Sequence, residues 1–404
     1  MISFSHSAIE RVIATEHQRV YNDIHALSQT FADHQLEADR LRDLPPALLG
    51  QFEVSKANMS LVPPQWGGED EQNPHLRVWT SELLGYGDAA TGFSMPGPSL
   101  AMPVTQAIAT QKQVQWFVSL FQNDCNLRWG AFALSERGQG SDFSHMRTVA
   151  EQRGDRWILN GSKSYIGNAA RANEGIVFAN IAPDKGRFGI RAFFVDLRKA
   201  HIADAGHTMH GLRCLKINDV VFDDLEIPLE NILGFENEAP PRRDAFAAAQ
   251  GSFNFMRPLL AAAICGTTRR MIDLMAEDFA SNPAIQQKLT DLRFAKECAL
   301  TLCFKAAIEQ DQGMDATLSS AIAKYEASQV NHHACILVAQ HYGPSLYRTE
   351  NSLLEKLYRD SYCFRFMEGT EDNQRNLINQ ISVRKARYRK LAGKAKVKAA
   401  RPES

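Results

Sequence analysis

The chain lacks most of the features that mark specialised protein classes. Its 404 residues include seven cysteines, an odd number, and no Cys-x-x-Cys pair. A disulfide framework and a zinc ribbon are therefore unexpected, and the pattern suits a reducing compartment. Apolar runs are short: Pro258 to Gly266 is among the longest, far below a bilayer span. The N-terminus has no apolar core of the secretory type, so a soluble cytoplasmic protein is expected. The formal net charge is only -1, from 45 Lys plus Arg and 46 Asp plus Glu, which gives no sign of specific nucleic-acid binding. There is no internal repeat. No Gly-x-Gly-x-x-Gly follows a strand, which argues against a Rossmann nucleotide fold. What remains is globular composition, 44% hydrophobic and 23% charged.

Three zones follow one another. Residues 1–125 read as helical. Ala8, Ile9, Val12 and Ile13 recur at helical spacing, and Ala47, Leu48, Leu49 and Phe52 follow the start at Pro45-Pro46. Two loops interrupt them, Val62 to Gly68 and Met95 to Pro103. Residues 126–235 carry the β-type runs Trp157–Leu159, Ile176–Phe178, Ile190–Val195 and Val220–Phe222. Asn160-Gly161 signals a hairpin, because both residues tolerate positive φ. Residues 236–383 are helical again. Phe253–Met275 is rich in small residues. Asp315–Gln340 places Leu318, Ile322, Tyr325 and Val330 near one face, and Leu353–Phe366 is a further helix. Helix, sheet, then helix, without βαβ alternation, predicts an α+β fold with segregated layers.

Residues 384–404 hold nine basic side chains against the single acid Glu403, so the rest of the chain is distinctly acidic. This tail reads as a disordered solubilising segment; its other reading is a contact for an acidic carrier protein or a phosphate group. His332, His333 and His341, and likewise His201, His207 and His210 on a loop between strands, have no carboxylate at ligand spacing. No metal site is expected.

Five segments resemble, in chain order, the acyl-CoA dehydrogenase family. Ala133 to Asp142 (ALSERGQGSD) is similar to Thr-Glu-Pro-x-Ala-Gly-Ser-Asp, and Leu159 to Asn168 (LNGSKSYIGN) to Asn-Gly-x-Lys-x-Trp-Ile-Thr-Asn. Val221 to Pro228, running on to Leu233-Gly234, resembles the strand leading into that family's bundle. Asn254 to Arg257 with Ala261-Ala262-Ala263 resembles the bundle's start. Tyr358-Arg359-Asp360 and Met367 to Thr370 resemble Tyr-Arg-Asp and Tyr-Glu-Gly-Thr. The resemblance implies an N-terminal helical domain, a central antiparallel β-barrel and a C-terminal four-helix bundle, with FAD in the cleft.

It also implies a reaction: a proton leaves Cα of an acyl thioester, a hydride leaves Cβ for the flavin, and a trans-2-enoyl thioester forms. An α-proton beside a carbonyl is weakly acidic, so a placed base is needed, and a carboxylate serves if a water-poor site raises its pKa. Glu368 occupies the family's base position. On spacing alone it reads as a surface glutamate at a helix end, with Gly369 as the stop. The thioester oxygen gains charge and needs donors, which the resemblance assigns to the Glu368 N–H and a ribityl hydroxyl. By the same resemblance Phe132, Leu134, Ser135, Gly140, Ser141, Tyr165, Ile166, Gly167, Gln340, Gly343, Thr370 and Asp372 hold FAD. Ser141, Asn254, Arg257 and Gly369 face the substrate; for Arg257 an interdomain or capping contact is an equal reading. The implied partners are an acyl-CoA or acyl carrier protein thioester, an electron acceptor such as an electron-transfer flavoprotein, and further copies in a homodimer or homotetramer.

Four departures stand out. Gly167 replaces a threonine, removing a hydroxyl toward the flavin, although Tyr165 could still stack on the ring. Asp278 to Ile285 stands where the family has Arg-x-x-Phe-Gly. Pro344 removes a backbone donor from the Gln340 to Tyr347 segment. Arg137 and Asn254 replace a proline and an aspartate. These imply a divergent dehydrogenase with rearranged FAD contacts. The alternatives are an oxidase of the same type or a non-catalytic binding or assembly protein on the same scaffold.

Overall fold

In the computed structural model the described residues are 9–54, 59, 62–68, 73–122, 127–139, 142–202, 207–236 and 244–384. Ala8 and the basic tail beyond Arg384 lie outside them. Six helices come first: α1 (Ile9–Glu16), α2 (Gln18–Leu41), α3 (Pro46–Val54), α4 (Pro74–Phe93), α5 (Ala101–Ile108) and α6 (Gln111–Ser119). Local chemistry explains their starts. Asn73 accepts from the N–H groups of His75 and Leu76 ahead of Pro74, and Thr110 with Gln113 forms a capping box. The proline-rich loop ends earlier than expected, at Leu100. Pro103 sits in the first turn of α5, where a missing N–H costs nothing.

The sheet holds β1 (Gly130–Ala133), β2 (Val149–Arg153), β3 (Arg156–Ile166), β4 (Glu174–Asn180), β5 (Ile190–Asp196), β6 (His201–Ile202) and β7 (Asn218–Pro228). The order is β1-β4-β2-β3-β7-β6, with β5 also on β4. The sheet is mixed rather than purely antiparallel, because β1 and the first residue of β2 pair parallel with β4. Every residue of β4 is buried, so both of its edges need partners. β5 takes one edge, and β1 followed by β2 takes the other. His201 lies in β6 rather than on a loop.

The hairpin signal at Asn160-Gly161 proves to be a bulge. The chain turns instead at Gly154-Asp155, and β3 runs straight through Asn160, with a register shift against β7 between Leu159 and Gly161. Gly161 has φ +137°, and a Cβ there would lie 2.7 Å from Thr148 Cα. Positive φ serves a bulge as well as a turn.

The last third holds α7 (Ala245–Asp278), α8 (Pro283–Asp311), α9 (Thr317–Tyr342) and α10 (Ser352–Phe364), then a final helix over 371–384. α7, α8 and α9 pack on one another and α10 packs on α7 and α9. The buried face of α9 includes Val330 of the expected residues but is otherwise a different one. Ser320, Ala323, Lys324, Ala327, Ala334 and Val338 are buried, whereas Leu318, Ile322 and Tyr325 are half-buried. Small residues let the backbones approach closely. Across the first and last thirds the approach is closer still. A Cβ on Gly85 of α4 would meet Ala263 O at 2.2 Å, and one on Gly266 of α7 would meet Glu82 O at 2.0 Å. Among the described residues no helix is long and apolar enough to cross a membrane.

A buried charge cluster joins all three zones. Lys356 on α10 pairs with Asp88 of α4 and with Asp360 (2.7 Å), all three almost fully buried. Asp88 breaks α4 (φ -170°, ψ 109°) and restarts it by accepting from the Thr91 N–H and hydroxyl at 3.1 and 2.6 Å. Asp360 also accepts the N–H of Leu212, from the loop before β7, at 2.6 Å. Beside it Arg359 pairs with Asp39 of α2 through both nitrogens at 3.1 and 2.7 Å. Burial opposes the Lys356 charge, but Asp360 and Asp88 outweigh it and hold the ammonium protonated. Lys356→Met leaves two carboxylates facing each other out of water. It should lower unfolding free energy by about 3–5 kcal/mol, measured from urea midpoints.

Candidate active site

α10 ends at Phe364, so Glu368 is not its terminal residue but part of the turn that follows. Glu368 has φ +51° and Gly369 has φ +96°. Two successive left-handed residues reverse the chain, and a non-glycine residue holds that shape only when its surroundings enforce it. The enforcement is visible. Arg257 Nε of α7 donates to Glu368 O at 3.0 Å, Gln374 Nε2 donates to the same oxygen at 3.3 Å, and Lys324 Nζ of α9 donates to Gly369 O at 3.1 Å. A Cβ on Gly369 would lie 2.6 Å from Gln374 Nε2.

The Glu368 side chain turns inward. Its Oε2 is shut from solvent and has no hydrogen-bond partner. Burial pushes its pKa up to about 7, against the opposing pull of the nearby Arg257 and Lys324 charges. Arg257 is itself buried. Its Nη1 donates to Asn254 Oδ1 at 2.8 Å, and its guanidinium lies 5.6 Å from the Phe253 ring centre. Asn254 also donates to Thr317 Oγ1 at 2.9 Å, and its carbonyl accepts from Gln310 and Ser320, tying α7 to the next two helices. Arg257 thus grips the Glu368 turn.

The sheet approaches this turn through Phe132, whose ring centre is 5.4 Å from that of Phe253. Phe132, Leu134 and Ser135 leave the end of β1, alongside Tyr165, Ile166 and Gly167 at the end of β3. Ser164 N–H donates to Ser135 O at 2.8 Å. A buried ion pair locks the two segments together. Lys163 Nζ donates to Glu136 Oε1 at 2.8 Å and to Leu134 O at 3.2 Å. Glu136 also accepts from Arg147 N and from Thr148 N and Oγ1, at 2.7, 2.9 and 2.6 Å. Burial pushes Lys163 down to about 8. Burial works against the Glu136 charge too, but Lys163 and the other donors win and hold that carboxyl below its usual range.

The Leu134 and Ile166 side chains are buried in the core, which leaves only their backbone groups to meet a ligand. Tyr165 is 60% exposed, with φ +60°, and its ring stacks on His207 at 4.5 Å. Gly140 and Ser141 lie outside the described residues. Thr370 accepts the Asn373 N–H at 3.2 Å and, with Asp372, opens the final helix. Gln340 and Gly343 are not brought together with the rest, since Gln340 lies about 24 Å further along α9 than Lys324 at 1.5 Å per residue. Sequence reasoning missed Lys324, Gln374 and Phe253. The usable signal for Lys324 was a lysine in register with the Ser and Ala stripe of α9.

The model of the acyl-CoA dehydrogenase middle domain matches residues 131–225, and that of the acyl-CoA dehydrogenase C-terminal domain matches residues 245–382. The rat mitochondrial short-chain specific acyl-CoA dehydrogenase is 31% identical over 315 residues, 74% of this chain and 73% of that protein. The chain belongs to the acyl-CoA dehydrogenase family. Subunit CarC of the caffeyl-CoA reductase-Etf complex of Acetobacterium woodii is 26% identical over 90% of this chain and 98% of its own. Among solved structures, butyryl-CoA dehydrogenase from Megasphaera elsdenii has the same fold. Its TM-score is 0.79 at 24% identity, covering 90% of this chain and 98% of that one.

Family membership makes this chain a flavin oxidoreductase of CH–CH bonds with FAD as its cofactor. The residues fit such a group. The Leu134–Ser135 and Ile166–Gly167 backbones run side by side and are pinned by Lys163 and Glu136. Gly167 carries no side chain, and a Cβ there would meet nothing nearer than Leu215 at 3.8 Å. On the helical side, Glu368 Oε2 is buried without a hydrogen-bond partner, in the turn held by Arg257, whose guanidinium lies beside Phe253, the ring that Phe132 of β1 approaches. The ion pair gives a direct test. Glu136→Gln strands the Lys163 ammonium in the core, and should cost about 3–5 kcal/mol of stability in chemical unfolding and weaken FAD retention on dialysis.

Proposed function

We propose that this protein carries out FAD-dependent α,β-dehydrogenation of an acyl thioester, with Glu368 as the base that takes the α-proton. The observation that carries this reading is the Glu368 side chain, whose Oε2 is buried without a hydrogen-bond partner and whose pKa burial raises to about 7. A carboxylate with that value is half ionised near neutral pH and is strong enough to share a weakly acidic proton in a dry site. Bound FAD supplies the acceptor for the hydride from Cβ. The chain supplies the rest. The strained turn presents the Glu368 backbone N–H toward the thioester oxygen, and Arg257, Lys324 and Gln374 keep the turn in place. The product is a trans-2-enoyl thioester.

The substrate is an acyl-CoA or a carrier-bound acyl thioester. The solved relatives include both a butyryl-CoA dehydrogenase and a prolyl acyl carrier protein oxidase of TM-score 0.80. An electron-transfer flavoprotein is the acceptor we infer, supported by the Etf-complex membership of CarC. Gln340 and Gly343, remote from the Glu368 turn, would serve the cofactor of a neighbouring copy, which favours a homodimer or homotetramer.

Anaerobic mixing with short-chain acyl-CoA thioesters should bleach the flavin absorbance. The rate should rise with pH through about 7, because only the ionised carboxylate accepts a proton. Glu368→Gln should abolish bleaching while keeping the flavin bound, and a variant that bleaches at the native rate would sink the base assignment. Asn254→Asp tests the electrostatics. Arg257 now has a neutral neighbour at 2.8 Å and its charge acts on Glu368. A second carboxylate there should move the pH midpoint upward by on the order of one unit.

A further inference from the structure

Lys324 is a lysine with no exposed surface, on a helix face built mostly from small side chains, Ser320, Ala321, Ala327 and Ser328 among them. Its ammonium donates to two main-chain carbonyls, Gly369 O at 3.1 Å and Arg365 O at 3.3 Å. Those oxygens flank Glu368 on both sides. An apolar side chain would fill the same space without the cost of burying a charge. Lys324 therefore costs stability at this place, and what it gains is the closure of one turn. The turn is also closed from outside, by Arg365 on Glu371 at 3.0 and 2.6 Å, and from below by Gln374 on Glu368 O and Gly369 O.

We propose that Lys324 is a positioning residue for the reaction: it holds the Glu368 turn in its left-handed shape through the carbonyls on either side. Its nearby charge also favours the ionised carboxylate. The inference rests on Glu368 being the base. The charged groups around Lys324 are Glu368 in the turn, Glu371 on the final helix, Arg257 on α7 and Arg365 after α10. His332, further along α9, faces Arg365 and Glu371. Burial lowers Lys324 to about 8, so it still carries its proton at neutral pH.

Lys324→Met, Lys324→Gln and Gln374→Ala can be compared in the FAD-loaded protein, by flavin bleaching against pH and by amide hydrogen exchange over residues 365–371. Lys324→Met should slow bleaching about 10- to 100-fold, raise its pH midpoint, and speed exchange in the turn. Lys324→Gln keeps donors but no charge, so its midpoint should rise with a smaller loss of rate. Gln374→Ala should speed exchange and leave the midpoint where it is. A native midpoint and native exchange in Lys324→Gln, whatever happens to melting temperature, would overturn the proposal. So would a Lys324→Met protein that differs only in stability. If Glu368→Gln bleaches normally, the base assignment fails by itself, and the exchange arm still reads whether Lys324 holds the turn.

Discussion

A buried ammonium shared by two carboxylates ties the beginning of this chain to its end. Lys356, Asp88 and Asp360 sit where α4, the loop before β7 and α10 meet. None of the three could be buried alone, because each charge is costly out of water without its partners. The arrangement forces three segments, far apart in sequence, to be correctly placed at once. Asp88 even gives up helical geometry to take part. The turn bearing Glu368 begins where α10 ends, so Glu368 inherits its position from this cluster.

The site balances opposing electrostatic demands. Burial pushes the Glu368 carboxyl toward its neutral form, and the nearby Arg257 and Lys324 charges pull it back toward the ionised one. Together they leave it near 7. That balance needs Arg257 and Lys324 to act without making a direct ion pair with the carboxylate, since a direct pair would favour the ionised form more strongly. Both cations meet that need by bonding to main-chain carbonyls of the turn, so the charge is close while Oε2 stays unpartnered.

How much of this was legible in the sequence depends on range. Caps and prolines are local, so the helix starts at Pro46 and Pro74 could be read or rationalised from neighbours. The order of helix, sheet and helix followed from periodicity. The parallel pairing of β1 with β4 has no local signature, because the partners are some forty residues apart and nothing in either strand encodes direction. Asn160-Gly161 misled for a specific reason: tolerance of positive φ is common to turns and bulges. Glu368 was legible only through its motif, since spacing alone made it a surface residue. Lys324 was invisible, because a lysine in a helix ordinarily reads as solvated, and only the stripe of small residues around it hints otherwise.

The close contact between α4 and α7 bears on how the chain comes together during synthesis. Thr267 donates its hydroxyl to Gly85 O across 182 residues. The glycines on either side leave no room for a layer between the two helices. The first six helices therefore leave the ribosome with one wall missing. A whole sheet must be made before the strand of chain that supplies that wall arrives. Until then the apolar face of α4 is uncovered, and the N-terminal third waits, unfinished, for the last third to close it.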